Sequence, residues 1–515
     1  MYQFMTQKQA ATEKNETLLD VVTIRICEKL ETLPRLTNAC SIYKVPDRLR
    51  LGNEGDYTPK VVSIGPFHHG KEELRTMEEH KYRYLRDFLA RGLAAHSLYS
   101  SNYTYDSVPD SPDWVPDSLD CIPDSVPKSV SYYVDLIKEK EAELRSAYAE
   151  SINLGSDEFV SMILVDTAFT IEVLLRLWSS EFRNDHDRIF NKPYMINDIF
   201  PDMVLLENQL PLFIIKDLYQ KVYPFHGNFP HINELLVRFT SALLDLNVEM
   251  GENPSSPIIP RCISVAPRVV QLENTCSSIT PICRCVDPRV EHLVDLLRYI
   301  YRPPINSRET RKKAIITTPS SVELCQAGVQ FKVMKSTKLF KSCIHDDDFK
   351  SCIDYIDSLR VLKLTKLTVS RKTEVAVMNL LAFEQCNRID MTAYANDFVA
   401  FLDCLIHSSK DVDLLVKQEI IDNRLADNSC AYTVIKKLGN AAAVSSESFC
   451  FASICEDLNQ YHNSRRSRLK AALNKWAISL RKNYFYSPWA IISVIAAFIL
   501  LVLTFIQAVC SIMSV

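Results

Sequence analysis

Glycine is scarce in this sequence. Only 10 of the 515 residues are glycine, which is roughly a quarter of average usage. Turn-rich β architectures and glycine-rich phosphate loops both need glycine, because its backbone adopts conformations that other residues avoid. The shortage argues against both and favours a mainly α-helical fold with a few short strands.

A strong charge imbalance and a catalytic signature are also missing. The formal net charge is −4, which gives no reason to expect a nucleic-acid partner. The chain has no Gly-x-Ser-x-Gly elbow, and its nucleophilic and basic residues follow no recognisable catalytic pattern. We therefore predict no catalytic residue, no cofactor and no metal site.

The N-terminus lacks the features of a secretory signal peptide. Residues 1–17 are polar, without an apolar core or a small-residue cleavage site. Most of the 16 cysteines stand singly in apolar segments, as at Cys325 and Cys404, which favours reduced thiols in the cytosol. Two glycosylation sequons, at Asn15 and Asn102, keep a lumenal head as an alternative.

The C-terminal end has no charged residue after Lys482. The apolar run from Pro488 to Val509 is long enough to cross a bilayer, because roughly 20 helical residues at ~1.5 Å each match a hydrocarbon core of ~30 Å. Trp489 stands at its start, where aromatic rings favour the headgroup layer. The sequence predicts a single transmembrane helix at residues 488–510.

A basic juxtamembrane segment, residues 465–487, precedes this helix, and no Asp or Glu occurs after Asp457. Such a flank is retained on the cytoplasmic side and attracts anionic lipid. We expect a tail-anchored protein with a cytosolic head, at the plasma membrane or the endoplasmic reticulum. The residues expected near anionic lipid are Arg465, Arg466, Arg468, Lys470, Lys475, Arg481 and Lys482.

The rest of the chain divides into an N-terminal extension, residues 1–37, and a helical head, residues 38–464. Within the head, Pro-Asp-Ser recurs in degenerate form between residues 101 and 131. Repeated proline blocks helix and central strand, so a disordered insertion is predicted there, either a docking or phosphorylation segment or a tolerated surface expansion. A second interruption, rich in Pro and Cys, is predicted as a linker at residues 251–288.

Apolar periodicity predicts the helices of the head. Residues 72–93 form a clear amphipathic pattern, and residues 159–178 are apolar nearly all round, which is typical of a central core helix. A short strand is predicted at Lys60–Ile64, and a few strands within residues 325–370. Further helices are predicted at residues 18–40, 134–149, 289–300, 375–408, 411–421 and 428–462, with another that starts at Pro211.

The segment Gly65-Pro-Phe-His-His-Gly-Lys71 matches the first seven positions of a phosphate-binding loop and lies between a predicted strand and a predicted helix. Such a loop also needs a hydroxyl after its lysine to ligate magnesium. Here that residue is Glu72, whose carboxylate repels phosphate, and Pro66 removes a backbone donor. Asp166, at the end of an apolar run, resembles a magnesium-holding aspartate, but nucleotide binding is disfavoured.

Other polar clusters have simpler structural interpretations. His68, His69, His80 and Glu79 match no standard ligand spacing for a metal. The cysteines at 262, 276, 283 and 285 include no Cys-x-x-Cys pair. Glu207-Asn208-Gln209, amid apolar neighbours, is expected to bond the backbone near a proline rather than to catalyse, because buried polar groups require partners.

Several segments together resemble the plant family called domain of unknown function 247. The resemblance covers about residues 38–515 and implies a mostly helical head with one C-terminal transmembrane helix. It implies no activity or catalytic residue, although an association of some members with self-incompatibility suggests a recognition role. The matching segments are 42–46 (IYKVP), 62–70 (VSIGPFHHG), 79–85 (EHKYRYL), 205–213 (LLENQLPLF), 327–331 (AGVQF), 379–386 (NLLAFEQC), 411–415 (DVDLL) and 484–489 (YFYSPW).

These observations lead to three hypotheses of function. The first is a membrane-anchored, non-enzymatic interaction or signalling protein whose head binds an unknown protein partner. The second is a membrane-tethered hydrolase or nucleotide-binding enzyme that uses the Gly65–Lys71 or His68, His69 and Glu79 region. The third is a self-incompatibility-type recognition protein, whose head would lie outside the cytosol.

Overall fold

The computed structural model of the protein describes residues 21–30, 40–100, 125–223, 229–243, 290–301, 316–334, 353–387, 393–445, 449–464 and 488–513. The basic segment 465–487, the linker at 251–288 and most of the insertion at 101–131 lie outside these residues, as do the cysteines at 262, 276, 283 and 285. The helices of the described residues are α1 (21–30), α2 (Asp47–Arg50), α3 (Arg75–Ser100), α4 (Ser125–Glu139), α5 (Glu141–Ser146), α6 (Ser156–Trp178), α7 (Pro193–Asp202), α8 (Leu212–Val222), α9 (Ile232–Leu243), α10 (Leu293–Tyr301), α11 (Ser321–Ala327), α12 (Arg371–Cys386), α13 (Tyr394–Leu405), α14 (Ser409–Lys417), α15 (Asn428–Ala441), α16 (Ala452–Asn463) and α17 (Pro488–Met513).

Helix α6 is the centre of the larger core. Its apolar side chains between Phe159 and Leu175 are buried, and it packs against α3, α4, α8 and α9. A helix that is apolar on all sides is typically buried at the centre of a core, so the pattern at 159–178 predicted this helix correctly.

A second, smaller core lies in the C-terminal part of the head. Its strands are β1 (Gln330–Val333), β2 (Ile353–Ile356), β3 (Val361–Leu364), β4 (Leu367–Val369) and β5 (Ile421–Asn423). Strand β3 is central in a three-stranded sheet, parallel to β1 and antiparallel to β2, while β4 pairs in parallel with β5. Helices α11, α13, α14, α15 and α16 contribute their apolar faces to the same core.

Side-chain caps fix the ends of these short elements. Ser320 and Glu323 form a capping box at the start of α11, and Gly328 ends this helix at φ +106°. A residue other than glycine would be strained at that angle. Helix α14 begins with a second capping box, formed by Ser408 and Asp411.

Helices α12 and α15 join the two cores. Leu380, Leu381 and Phe383 of α12 lie in the larger core, and α12 also packs against α13 and β4 of the smaller one. Helix α15 contributes Leu438 to the larger core and Ile435 to the smaller one. The two cores therefore share structural elements.

The mainly α fold with a few short strands is confirmed, but the strand predicted at Lys60–Ile64 is wrong. Those residues form an irregular segment. The Asp202 carboxylate accepts the amide hydrogens of Lys60, Val61 and Val62 at 2.7–3.1 Å. Because this side chain accepts amide hydrogens that a neighbouring strand would otherwise accept, these residues need no strand partner.

The end of the insertion predicted at 101–131 is helical. Helix α4 begins at Ser125, so the last of the degenerate repeats, at 126–129, belongs to a helix. Pro127 lies in the first turn of α4, where backbone amides have no hydrogen-bond acceptor within the helix. The amide hydrogen that proline lacks is therefore not needed there. Helices predicted as single elements at 134–149, 375–408 and 428–462 are each divided in two.

The C-terminal apolar run is helical, as α17. Within the residues that the structure describes, however, no helix qualifies as long and apolar enough to cross a membrane. The transmembrane helix predicted at 488–510 is therefore not confirmed.

Candidate functional site

The Gly65–Gly70 loop is held from inside the protein. The Gly65 amide donates to Oδ2 of Asp166 at 2.8 Å. Gly65 has φ +75°, and a Cβ placed there would lie 2.5 Å from the Gln209 carbonyl oxygen. Only glycine fits a position with this backbone angle and so close an approach.

A fully buried ion pair lies beneath this loop. Lys81 of α3 and Asp166 of α6 are both inaccessible to solvent, and Lys81 Nζ lies 2.5 Å from Asp166 Oδ1. The same ammonium donates to the Ser63 carbonyl at 2.9 Å and pairs with Glu78 at 2.7 Å. Burial disfavours the charged lysine, but the two carboxylates outweigh it, so the pKa of Lys81 is raised.

Glu207-Asn208-Gln209 completes the network with bonds to the backbone. Oε1 of Glu207 accepts the Val45 amide and pairs with Arg50. Oδ1 of Asn208 accepts the Ile64 amide, and its Nδ2 donates to the carbonyls of Val62 and Asp202.

Gln209 caps α10 by accepting the Leu293 amide, and its Nε2 donates to the carbonyls of Met203 and Leu205. The predicted structural interpretation of these three residues agrees with this geometry.

The histidines of the segment do not converge. His68 is buried, with Nε2 3.3 Å from Glu207 Oε2, whereas His69 lies 3.8 Å from Glu158. His80 faces Arg83 on the surface of α3, and Glu79 pairs with the same arginine. In the part of the chain that the structure describes, no group of three or more His, Cys, Asp or Glu residues is arranged to hold a metal.

The geometry also disfavours a phosphate-binding role for the Gly65–Lys71 loop. Its first amide already donates to a carboxylate, and Asp166, the residue that resembles a magnesium ligand, is paired with the buried Lys81. Glu72 and Glu73 follow the loop as a short 3₁₀ turn. A phosphate at this helix start would meet the carboxylates of Glu72 and Glu73, where backbone amides ordinarily attract an anion.

An open cleft lies next to this network, between α2 and α15. Its volume is about 450 Å³. The cations that line it are Arg48 from α2 and Lys436 and Lys437 from α15. Its other lining residues are Leu49, Asn53, Tyr432, Thr433, Asn440 and Ala441.

Carboxylates hold the cleft lysines in place. Lys437 Nζ donates to Oδ2 of Asp56 and, at 2.7 Å, to Oε1 of Glu374. Lys436 Nζ donates to the Asp403 carboxylate at 2.8 Å and to its carbonyl at 3.2 Å. Burial disfavours the charge on Lys437, but its two hydrogen-bonded carboxylates outweigh this effect and raise its pKa.

Arg48 has a different partner. Its Nη2 donates to the neutral amide oxygen of Gln385, at 2.6 Å. Gln385 belongs to α12 and donates in turn to the Ala441 carbonyl of α15. The three helices α2, α12 and α15 thus meet at the cleft.

No sequence pattern predicts this cleft. Its two sides come from segments about 380 residues apart, and neither segment carries a known ligand-binding pattern. The adjacent pair Lys436-Lys437 was the one available signal, and on a surface helix such a pair is ordinarily solvated.

The chain matches a protein family over most of its length. The model of domain of unknown function 247, described as a plant protein of unknown function, matches residues 42–503. UPF0481 protein At3g47200 of Arabidopsis thaliana is 24% identical over 92% of this chain and 87% of its own length. Putative UPF0481 protein At3g02645 of the same plant is 21% identical over 91% and 89%. No solved structure gives a significant match. The chain belongs to the plant family of domain of unknown function 247.

Proposed function

We propose that this protein is a non-enzymatic interaction protein held at a membrane by α17. In this proposal the head faces the cytosol and presents its surface to a protein partner. The basic segment before α17 adds attraction to anionic lipid. Tethering raises the local concentration of head and partner, so a modest contact between them suffices.

The proposed tether rests on the exposure of the apolar side chains of α17. Four consecutive side chains, Ile499, Leu500, Leu501 and Val502, are 51%, 64%, 70% and 39% exposed. Successive residues of a helix point about 100° apart, so these four cover every side of it. Apolar surface on all sides is unfavourable in water and favourable in lipid.

The sequence of this segment is the second support for the tether. Residues 488–510 carry no charge, and a bilayer core of ~30 Å accommodates an apolar run of roughly 20 residues.

An alkaline carbonate wash of membranes that contain the full chain tests the tether. The wild type should stay with the vesicles, whereas Phe498→Lys together with Leu501→Lys should release it, because each lysine at mid-span costs about 3 kcal/mol. Leu359→Lys, at an exposed turn position of the head, is the matched control. Release of the wild type by the wash would refute the tether.

The non-enzymatic part of the proposal is supported by how four polar residues beneath the Gly65–Gly70 loop are used. Lys81, Asp166, Asn208 and Gln209 are buried and bond to other parts of the protein. Groups engaged in this way hold the chain together and are not free to act on a substrate.

Thermal unfolding of the full chain with magnesium and ATP or GTP tests the enzymatic alternative. A nucleotide that binds the native head must raise its unfolding temperature. We expect no rise in unfolding temperature that depends on the Gly65–Lys71 loop, so the wild type and Lys71→Ala should respond to nucleotide alike. A rise that disappears in this variant would favour the nucleotide-dependent enzyme instead.

Glycosidase treatment tests the direction of the head. We expect the mobility of the protein to be unchanged. A shift that depends on Asn15 or Asn102 would put the head in the lumen and favour the recognition alternative.

A further inference from the structure

The basic cleft between α2 and α15 retains hydrogen-bond donors after its internal bonds are counted. An ammonium has three donors. Lys437 uses two of them on Asp56 and Glu374, and Lys436 uses two on Asp403. Each lysine therefore has one further hydrogen for a ligand, and both side chains are 28% exposed.

Arg48 supplies most of the remaining donors. A guanidinium has five N–H groups in a planar fork, and the bond to Gln385 uses a single nitrogen. Asn53 and Asn440 are neutral donors that also line the cleft; Asn53 Nδ2 gives one of its two hydrogens to the Leu49 carbonyl, at 3.2 Å. The described lining thus offers donors from two opposing elements.

The cations that line the cleft are balanced by carboxylates that do not line it. Arg48, Lys436 and Lys437 are lining residues, whereas the carboxylates that pair with the two lysines, those of Asp56, Glu374 and Asp403, are not. Asp56 and Glu374 are buried, at 3% and 4% exposure, so these two negative charges lie behind the lysines. Asp403 is 33% exposed but is not a lining residue, so the charged groups that line the cleft are all cationic.

We propose that this cleft binds the phosphoryl group of a phosphorylated small ligand or lipid headgroup. Several oxygens on one phosphorus match donors that converge from α2 and α15. The arginine fork suits bidentate contact and the two ammonium groups act as point charges. A volume of about 450 Å³ lies within the usual range for small-ligand sites.

Calorimetry on the full chain in detergent tests the site, with inorganic phosphate as the probe and chloride at matched ionic strength as the blank. We expect saturable binding that Arg48→Gln weakens about tenfold, because a charge-assisted bond is lost. Asn440→Asp, which adds a negative charge at an exposed lining position without changing shape, should also weaken it. Both residues are exposed, so the head should fold in both variants.

Lys417→Gln is the matched control. It removes one positive charge from an exposed position on α14, outside the cleft lining. Its phosphate affinity should equal that of the wild type. Absence of saturable binding, or equal losses in Arg48→Gln and Lys417→Gln, would overturn the proposal.

Two further probes identify the source of the phosphoryl group. Glycerol 3-phosphate and dihexanoyl phosphatidic acid carry the same phosphomonoester, and the second adds acyl chains. Tighter binding of the lipid supports a headgroup, and tighter binding of glycerol 3-phosphate supports a soluble ligand. Failure of both to compete with phosphate would overturn the site.

Phosphate binding at the cleft does not depend on the membrane tether. The carbonate wash tests α17, and the calorimetry tests Arg48. Should ATP stabilise the head, its loss in Arg48→Gln would assign the effect to the cleft, whereas its loss in Lys71→Ala would assign it to the Gly65–Lys71 loop.

Discussion

Replacing Lys81 by methionine should strongly destabilise the head. The substitution removes a fully buried ammonium with bonds to Asp166 at 2.5 Å and to the Ser63 carbonyl at 2.9 Å. Asp166 would then be a buried carboxylate whose remaining bond is the Gly65 amide. Breaking a buried ion pair from one side costs about 3–5 kcal/mol of unfolding free energy.

The double variant Lys81→Met with Asp166→Asn should recover much of this loss. Asparagine keeps an oxygen for the Gly65 amide, and no buried charge remains without a partner. The Ser63 carbonyl still lacks its donor, which leaves a cost of about 1–3 kcal/mol. The sum of the unfolding free-energy losses of the two single variants should therefore exceed the loss of the double variant. The expected coupling is about 2 kcal/mol.

Urea unfolding of the full chain in mild detergent, followed by tryptophan fluorescence, measures these differences. Arg83→Met is the control, because Arg83 lies on the same helix and pairs with Glu79 at the surface. Its effect should stay within about 1 kcal/mol. Additive single variants, or a control as destabilised as Lys81→Met, would refute the reasoning.

Three further predictions follow from the described contacts. Gly65→Ala should cost about 2 kcal/mol or more in thermal unfolding, because Cβ would meet a carbonyl oxygen, whereas Gly70→Ala has the same backbone angle and open space and should cost about 1 kcal/mol. Burial raises the pKa of Glu384 to about 7. Its contribution to the unfolding free energy is therefore complete below about pH 4.5 and is lost as the pH rises through 7. The unfolding free energy measured against pH should show this fall, and Glu384→Gln should make the profile flatter. Asp411→Ala should destabilise by about 2–3 kcal/mol, since its carboxylate accepts the amides of Val322, His407 and Ser408, and the exposed Asp413→Ala is the control for urea unfolding.

The fold class and the main helices could be predicted because they depend on local patterns. Most of α3 carries apolar residues at helical spacing, and α6 is apolar nearly all round, so no distant contact is needed to recognise them. The division of long predicted helices was missed where no strong breaker marks it. The break between α12 and α13, for example, contains neither glycine nor proline.

The roles of the polar residues could be predicted only in outline. The sequence indicates that Asn208 and Gln209 need partners, but not that these partners are residues 62–64 and the start of α10. Asp202 likewise prevents a strand about 140 residues before it in the chain. Such contacts arise from the packing of distant segments, which a single sequence does not reveal.

The position of the cleft gives its charges a structural consequence. Asp56 belongs to the segment after α2, Glu374 starts α12, and Lys437 of α15 bonds both carboxylates. Since α12 contributes to the larger core and α15 contributes to both, this lysine bonds groups on elements of the two cores. A ligand that contacts Arg48 and Lys437 together would bridge α2 and α15 in the native head and would lose both contacts on unfolding. Phosphate should therefore stabilise the two cores jointly, in proportion to the logarithm of its concentration above the dissociation constant.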